Sequence, residues 1–211
     1  MTALVLKPNP LQDRATSLLL ASGSAARKRL LENAGLAFGI VRPEVDEHAI
    51  REQAHARGCS TDDTALELAI AKALAGAADS TALVIGSDQM LSCEGQWYDK
   101  PPTLEQAARQ LQALRGRTHT LHTAVVLCQG GQVVWQHVEQ AHLSMRAFSD
   151  SFLEQYLALE AEACLSCVGA YRLEGPGLLL FEQVRGDSFS IQGLPLLALV
   201  AALRDMKVLM T

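Results

Sequence analysis

The sequence predicts an α/β fold, a mixed and twisted β-sheet with flanking helices. Strand-like and helix-like segments alternate along most of the 211 residues, as in layered α/β domains. Two long strand-like segments joined at Gly130-Gly131 interrupt this alternation and predict a hairpin, so the sheet is not purely parallel. Hydrophobic residues make up 49% of the chain, which is enough for a buried core.

The first half of the chain begins with an apolar run at 17–21, which predicts a buried strand. Small residues then turn the chain into a helix over 25–34, which Gly35 ends. The apolar run at 81–85 predicts another buried strand, followed by Gly86, Ser87 and Asp88. The other segments of this half are a strand at 37–41 and helices at 47–56 and 64–77.

The second half is expected to start with a hairpin, because Glu94-Gly95 separates two short strand-like runs, 89–93 and 96–98. Thr103 and Gln106 have capping-box spacing at the start of a helix over 103–114. Ser151 is expected to cap a later helix. The remaining segments are strands at 119–128, 132–145 and 178–184 and helices at 151–159 and 195–206. We interpret residues 1–16 as a loose leader and 17–211 as a single domain.

Composition excludes several classes of protein. A formal net charge of −5 argues against a nucleic-acid backbone binder. No apolar run is long enough to span a bilayer, so no membrane partner is expected. The five cysteines are odd in number and irregularly spaced, which argues against a disulfide framework and for the reducing cytoplasm.

Candidate phosphate-binding residues follow the first strand. Ser22 and Ser24 precede a helix N-terminus, which offers free N–H donors, and Arg27 lies one turn in. These residues either form an anion cradle, or Ser24 is simply the cap of the helix.

Two acidic positions are candidates for metal binding or catalysis. Glu47 ends the acidic stretch 43–47, which is either a source of oxygen ligands for a hard cation or a solvated turn. Asp88 follows a buried strand, where α/β sheets bind ligands, and is either a general base or metal ligand or the start of an Asx turn.

Two lysines are candidates for substrate contacts. Lys72 lies in an Ala/Leu-rich helix, where it either snorkels to the surface or points into a polar cavity. Lys100 precedes two prolines and indicates little when taken alone.

Three other features carry less weight. The glycine-dense stretch 169–177 permits close approach of backbone to a ligand, or is a plain turn cluster. Cys164 and Cys167 have redox-motif spacing but lie outside a strand-to-helix turn of a thioredoxin-like pattern. His119 and His122 are expected on opposite faces of a strand, which is poor geometry for a shared metal.

Taken in order, these segments resemble the Maf family of nucleotide pyrophosphatases. The resemblance runs from about Leu18 to Leu203, nearly the whole chain. Any one of its motifs is weak, but eight in sequence are highly specific. They are LLLASGSAARKRLL, PEVDE, LAIAKALA, VIGSDQ, DKP, LRGRTHTLHTAVVL, GAYRLEGPG and GLPL.

The resemblance implies a Maf/ITPase-like fold with two lobes around a cleft, often as a homodimer. It implies hydrolysis of a nucleoside triphosphate to the monophosphate and diphosphate with a divalent cation, Mg²⁺ or Mn²⁺. Glu47 and Asp88 would hold the metal, and Asp88 would bind metal, take the proton of the attacking water, or do both. The phosphate-contacting or catalytic positions it implies are Ser22, Ser24, Arg27, Lys72 and Lys100.

The substrate preference is expected to depend on Gln89 and Glu174. Maf relatives that resemble 7-methyl-GTP pyrophosphatases have Gln after the Asp and Glu in the glycine segment, as here. Ala26 departs from that group, which tends to have an aromatic residue there. A carboxylate at 174 accepts two hydrogen bonds from the guanine edge, and N7-methylation strengthens them through its positive charge. Uracil and thymine offer one N–H on that edge, flanked by carbonyl groups that would repel the carboxylate.

Three alternatives remain open at this stage. The first is a dTTP/UTP pyrophosphatase, whose pattern differs from this chain at Ala26, Gln89 and Glu174. The second is a nucleotide-binding regulator of cell division without turnover, which the intact set of charged site residues disfavours. The third is a structural α/β domain that uses the small-residue motifs only as turns, and the ordered co-occurrence of the motifs disfavours it.

Overall fold

The computed structural model of the protein describes residues 9–78 and 80–211, and in this part of the chain seven strands form one sheet. The strands are β1 (Leu18–Ala21), β2 (Gly39–Val41), β3 (Leu83–Cys93), β4 (Gln96–Tyr98), β5 (Thr118–Gln129), β6 (Gln132–Met145) and β7 (Phe181–Arg185). The α-helices are α1 (Ala25–Asn33), α2 (Glu47–Ala56), α3 (Thr61–Ala77), α4 (Leu104–Leu114), α5 (Asp150–Glu160), α6 (Ser188–Ile191) and α7 (Leu196–Asp205). Three 3₁₀ segments follow α5, at Ala161–Ser166, Val168–Ala170 and Pro176–Leu180.

The sheet is mixed, as the sequence predicts. Its order is β2-β1-β3-β5-β6-β7, and β4 pairs with β3 beside this path. Strand β1 is parallel to both β2 and β3, whereas β3–β4 and β6–β7 are antiparallel. The α/β fold class is therefore confirmed.

The chain divides into two compact units, each with its own core. The first unit runs to Asp88 and includes Thr123–Glu139 and Gly193–Thr211. Its core includes Leu20, Leu31, Phe38, Leu68, Ile85 and Leu127. The second unit consists of Gln89–His122 and Gln140–Gln192. Its core includes Leu91, Leu111, Leu121, Leu143, Tyr156 and Tyr171.

Helix α3 packs very closely on strand β3 in the first unit. A Cβ at Gly86 would lie 2.3 Å from the carbonyl oxygen of Ala69 and 2.7 Å from the Cβ of Ala73. Only glycine permits this approach of a strand to the backbone of a helix. This close packing sets the position of Lys72 relative to Asp88. Lys72 lies one turn after Ala69 on α3, and Asp88 lies two residues after Gly86 on β3.

The structure corrects the expected boundaries around Asp88. The segments at 81–85 and 89–93 are one continuous strand, β3, because the residues between them keep an extended backbone and a buried face. Asp88 lies within this strand, so the expectation that the strand ends before it, and the alternative of an Asx turn, are both wrong.

Other boundaries also differ from the sequence prediction, as three examples show. Ser149, not Ser151, caps α5, because its hydroxyl accepts the Phe152 N–H at 3.2 Å. The expected strand at 178–184 begins only at Phe181, after a 3₁₀ segment that starts with Pro176. Helix α3 begins at Thr61 rather than residue 64, because Ser60 caps it.

Part of the expected leader lies outside the described residues, namely residues 1–8. Within the rest of this segment, the Gln12 side chain is buried and makes two hydrogen bonds with the backbone of Ala37. Its Nε2 donates to the carbonyl at 2.9 Å and its Oε1 accepts the N–H at 2.7 Å. In the described residues, no helix is long and apolar enough to cross a membrane.

Candidate active site

A lysine bridges two carboxylates in the first unit. Lys72 Nζ lies 2.5 Å from Asp88 Oδ1 and 2.9 Å from Glu47 Oε1. The side chains of Lys72 and Asp88 are only 12% and 7% exposed. Charged groups this deeply buried interact strongly because water screens them poorly. The structure thus brings together three of the predicted site residues, which come from α2, α3 and β3.

Asp88 has one oxygen that its neighbours do not engage. Its Oδ2 is buried and makes no hydrogen bond, whereas Oδ1 accepts from Lys72. A buried acceptor of this kind costs free energy unless a ligand, ion or water satisfies it. Asp88 therefore offers a carboxylate oxygen to a ligand, ion or water molecule.

The start of α1 adds a buried cation. Arg27 is 8% exposed, and its Nε donates to the carbonyl of Gly193 at 2.7 Å. Burial lowers the pKa of Arg27, while the charges of Asp88 and Glu47 oppose this shift. Arg27 therefore lies within electrostatic reach of both carboxylates.

Both predicted serines also contact Arg27. Ser22 Oγ accepts from Arg27 Nη1 at 3.3 Å and from the Ser24 N–H at 3.2 Å. Ser24 caps α1, because its Oγ accepts the Arg27 N–H at 3.3 Å. The cap interpretation of Ser24 is confirmed, and it places Ser24 beside the other residues expected to form an anion cradle.

The other predicted residues belong to the second unit. Lys100 is exposed in the connection between β4 and α4. Gln89 Nε2 donates to the carbonyls of Ser190 and Ile191 at 2.9 and 3.1 Å, which ties β3 to α6. Glu174 lies in the glycine-dense segment, in a turn between 3₁₀ segments.

The charges of Lys100 and Glu174 both affect the pKa of the Cys167 thiol. Burial raises the pKa of Cys167, the Ser166 hydroxyl opposes that rise, and the charges of Glu174 and Lys100 act in opposite directions. Two predicted site residues that are distant in sequence therefore lie within electrostatic reach of Cys167. The raised pKa makes the thiol a poor nucleophile, which argues against a redox role for Cys167.

The donor set of the first unit fits a hard divalent cation. Glu47 and Asp88 supply carboxylate oxygens, and Asp88 Oδ2 is the unsatisfied one. Within residues 9–78 and 80–211, no three His, Cys, Asp or Glu side chains form a ready cation cage. Mg²⁺ does not require such a cage, because it commonly binds one or two carboxylates together with substrate phosphates.

Sequence reasoning missed several residues that hold the site residues in place. Ser87 is fully buried and its Oγ donates to the Gly193 carbonyl at 3.1 Å, the same oxygen that accepts from Arg27. In the second unit, the buried Glu160 forms an ion pair with the partly exposed Arg172. No local motif marks these residues, because their partners are 12 to 106 positions away.

Basic side chains at a helix start, beside a carboxylate pair bridged by lysine, are typical of an enzyme that binds phosphate anions. The model of the Maf-like protein family matches residues 17–206, and the chain belongs to this family.

Curated relatives cover most of the chain. A protein of Gluconobacter oxydans named nucleoside triphosphate pyrophosphatase is 50% identical over 92% of this chain and 97% of its own length. Proteins named 7-methyl-GTP pyrophosphatase from Rhizobium meliloti and Brucella abortus are 47% and 44% identical over 90% of this chain and 96% of their own lengths.

Proposed function

We propose that this enzyme is a nucleoside triphosphate pyrophosphatase whose preferred substrate is 7-methyl-GTP. The reaction converts the triphosphate to the monophosphate and diphosphate, so the enzyme is a hydrolase of phosphoric anhydrides. The family match over residues 17–206 and relatives that are 44% to 50% identical support the activity. The observation that carries the proposal is Lys72 between Glu47 and Asp88, with Asp88 Oδ2 buried and unsatisfied.

Asp88 takes the proton of the attacking water at Oδ2. Water attacks the α-phosphorus and diphosphate leaves, so negative charge builds up on the phosphoryl oxygens. Lys72 holds Oδ1 and thereby orients the carboxylate. Arg27 neutralises phosphate charge through a planar guanidinium, and Lys100 does so as a point charge.

Glu47 and Asp88 would hold a Mg²⁺ or Mn²⁺ ion. When bound, such an ion supplies electrostatic stabilisation of the charge that develops on the phosphates. Ser22 and Ser24 complete the phosphate-binding side of the first unit, where their hydroxyls are already oriented by Arg27 and by the start of α1.

Glu174 selects the base in this proposal. Its carboxylate accepts from the N1–H and N2–H₂ groups of guanine, and the cationic 7-methylguanine base strengthens these hydrogen bonds. Gln89 donates hydrogen bonds to the backbone of α6 and, like Glu174, differs from the pyrimidine pattern.

We also propose a cytoplasmic homodimer. The five cysteines are all free thiols, which suits a reducing compartment. The acidic net charge of −5 suits a small-molecule substrate rather than a nucleic acid.

Sedimentation velocity of the purified protein tests the dimer, and a single monomeric species at micromolar concentration would contradict it.

The test is turnover of 7-methyl-GTP, GTP, UTP, dTTP and ATP with Mg²⁺ or Mn²⁺, measured as nucleoside monophosphate and diphosphate released. We expect 7-methyl-GTP to give the highest kcat/KM. Asp88→Asn should lose at least about 100-fold in kcat, as expected for removal of a general base. The matched control is Asp205→Asn, which changes an exposed carboxylate at the end of α7.

The outcomes separate the reaction from its specificity. A preference for UTP or dTTP would keep the pyrophosphatase and overturn the role of Glu174. No turnover of any nucleotide by the folded protein would overturn the enzyme and favour a regulator that only binds. Glu174→Gln should reduce the preference for 7-methyl-GTP over GTP, and an unchanged preference contradicts base selection by Glu174.

A further inference from the structure

An ion pair with a buried carboxylate lies beside the turn that carries Glu174. Glu160, at the end of α5, has a side chain that is only 1% exposed, and that of Arg172 is 32% exposed. Arg172 Nε and Nη2 donate to the two oxygens of Glu160, both at 2.9 Å. This two-pronged geometry is the strongest form of arginine–carboxylate contact and fixes the orientation of the guanidinium.

Arg172 is also the first residue of this turn, and its carbonyl group accepts the hydrogen bond of the turn. The Gly175 N–H donates to the Arg172 carbonyl at 3.1 Å, which closes a turn with Glu174 as its third residue. A Cβ at Gly177 would lie 2.5 Å from the same carbonyl oxygen. These contacts use backbone atoms, so the shape of the turn does not depend on the Arg172 side chain.

The guanidinium lies within electrostatic reach of two carboxylates. The hydrogen bonding of Arg172 to Glu160 is the largest cause of the raised pKa of Arg172, and the charges of Glu160 and then Glu174 add to it. A Cβ at Gly175 would lie 3.4 Å from Arg172 Nη2 and 3.5 Å from Glu160 Oε1. The ion pair therefore packs directly against the residue that follows Glu174.

We infer that Glu160 is a specificity-determining positioning residue, which holds the Arg172 guanidinium so that it does not neutralise Glu174. This inference rests on the proposed selection of the base by Glu174. With Glu160 engaged, the charge of Arg172 is balanced by Glu160 and not by Glu174, whose carboxylate can then pair with a cationic base. Without Glu160, Arg172 turns to Glu174, whose charge already acts on it, and competes with the base for the Glu174 oxygens.

The test compares kcat/KM for 7-methyl-GTP and GTP in four proteins. They are the unmodified enzyme, Glu160→Gln, Glu160→Gln with Arg172→Gln, and Glu162→Gln. Glu160→Gln should lower the ratio of the two values about tenfold, mainly through KM, the effect of weakening one hydrogen bond to a charged group. The double variant should recover the ratio to within about threefold, because it removes the competing cation.

Glu162→Gln is the matched control, because Glu162 is exposed in the adjoining 3₁₀ segment and should leave the ratio unchanged. Thermal unfolding of each variant shows that it is folded. An unchanged ratio in Glu160→Gln, or a double variant as impaired as the single one, would overturn the inference, the second result indicating a merely structural ion pair.

The Glu174→Gln variant distinguishes failure of this inference from failure of the proposed function. If Glu174→Gln lowers the ratio and Glu160→Gln does not, Glu174 still selects the base and only the role of Glu160 is wrong. If Glu174→Gln leaves the ratio unchanged, both are wrong.

Discussion

At the scale of single residues, Lys72 links the packing of the fold to its chemistry. Its ammonium group contacts Asp88 and Glu47 together, from within a helix whose other buried residues are apolar or small. A lysine with so little exposure is costly to bury unless it is paired. The pairing satisfies that requirement, and it keeps two carboxylates close together that would otherwise repel each other.

Lys72→Met should therefore lower kcat by at least about 100-fold, because both carboxylates lose the cation that orients them. The release of diphosphate from 7-methyl-GTP measures the loss. Lys28→Met is the control, since Lys28 is 46% exposed and its ion pair is with Glu32 on the surface of α1. Turnover by Lys72→Met within about threefold of the unmodified enzyme would show that Lys72 is structural.

His119 predicts a pH dependence of stability. It is 1% exposed and its Nε2 lies 2.8 Å from Tyr171 Oη, while burial lowers its pKa from 6.5 to about 4. Between these values the unfolded chain binds a proton that the folded chain does not. Protonation therefore favours unfolding, and the free energy of unfolding falls as the pH drops through this range.

From about pH 7 to about pH 5 this loss should amount to about 2 kcal/mol from His119 alone. His119→Gln keeps a hydrogen-bonding side chain beside Tyr171 and removes the titration. Urea unfolding at both pH values should therefore give a smaller acid loss for the variant, and equal losses in the two proteins would contradict the prediction.

At the scale of secondary-structure elements, the sequence predicted best where the pattern is local. The capped helix α4, the Glu94-Gly95 turn and the β5–β6 hairpin follow from capping, glycine and alternation signals of a few residues. The continuous strand β3 was not foreseen, because Gly86 and Ser87 are typical of a turn. Gly86 is small here because helix α3 lies against it, and Ser87 donates a hydrogen bond to the Gly193 carbonyl.

The site residues divide in the same way, into those that the sequence predicts and those that depend on tertiary packing. The charged residues of the first unit were identified from the sequence, and the structure brings Arg27, Glu47, Lys72 and Asp88 together. Ser87, Glu160 and Arg172 were not, because each acts through a partner far along the chain. Such pairs form through tertiary packing, so no local pattern in the sequence marks them.

Gly86→Ala tests whether the contact between α3 and β3 positions Lys72. The added methyl group cannot fit 2.3 Å from the Ala69 carbonyl, so helix and strand must separate. We expect a loss of about 1–3 kcal/mol in the free energy of unfolding, as for other overpacked cores. Turnover of the variant that remains folded should also fall, because Lys72 moves away from Asp88.

A destabilised control separates these two effects. Gly116→Ala is strained by a positive φ of 70°, yet its Cβ would meet no atom within 4 Å. It should lower stability while turnover is retained. If both variants lose stability and neither loses turnover, the close approach at Gly86 serves the fold alone.

At the scale of the whole molecule, a ligand bound at one buried oxygen should affect the stability of the fold. Asp88 Oδ2 in the first unit is buried and unsatisfied, and it belongs to a residue that we propose binds the metal. An unsatisfied acceptor destabilises the protein until a ligand or ion reaches it. Stability of the whole chain should therefore respond to the metal and the nucleotide.

We expect a non-hydrolysable 7-methyl-GTP analogue to raise the midpoint of thermal unfolding only when Mg²⁺ or Mn²⁺ is present. At about 100 times its Kd, a ligand that binds only the folded state adds about 2.7 kcal/mol. Chelation with EDTA should abolish both this shift and turnover, and renewed Mg²⁺ should restore them. Asp88→Asn should lose the metal-dependent part of the shift, and Asp205→Asn should keep it. A shift of the same size in EDTA would mean that nucleotide binding does not need the metal, and Glu47 and Asp88 would then serve as catalytic and orienting groups alone.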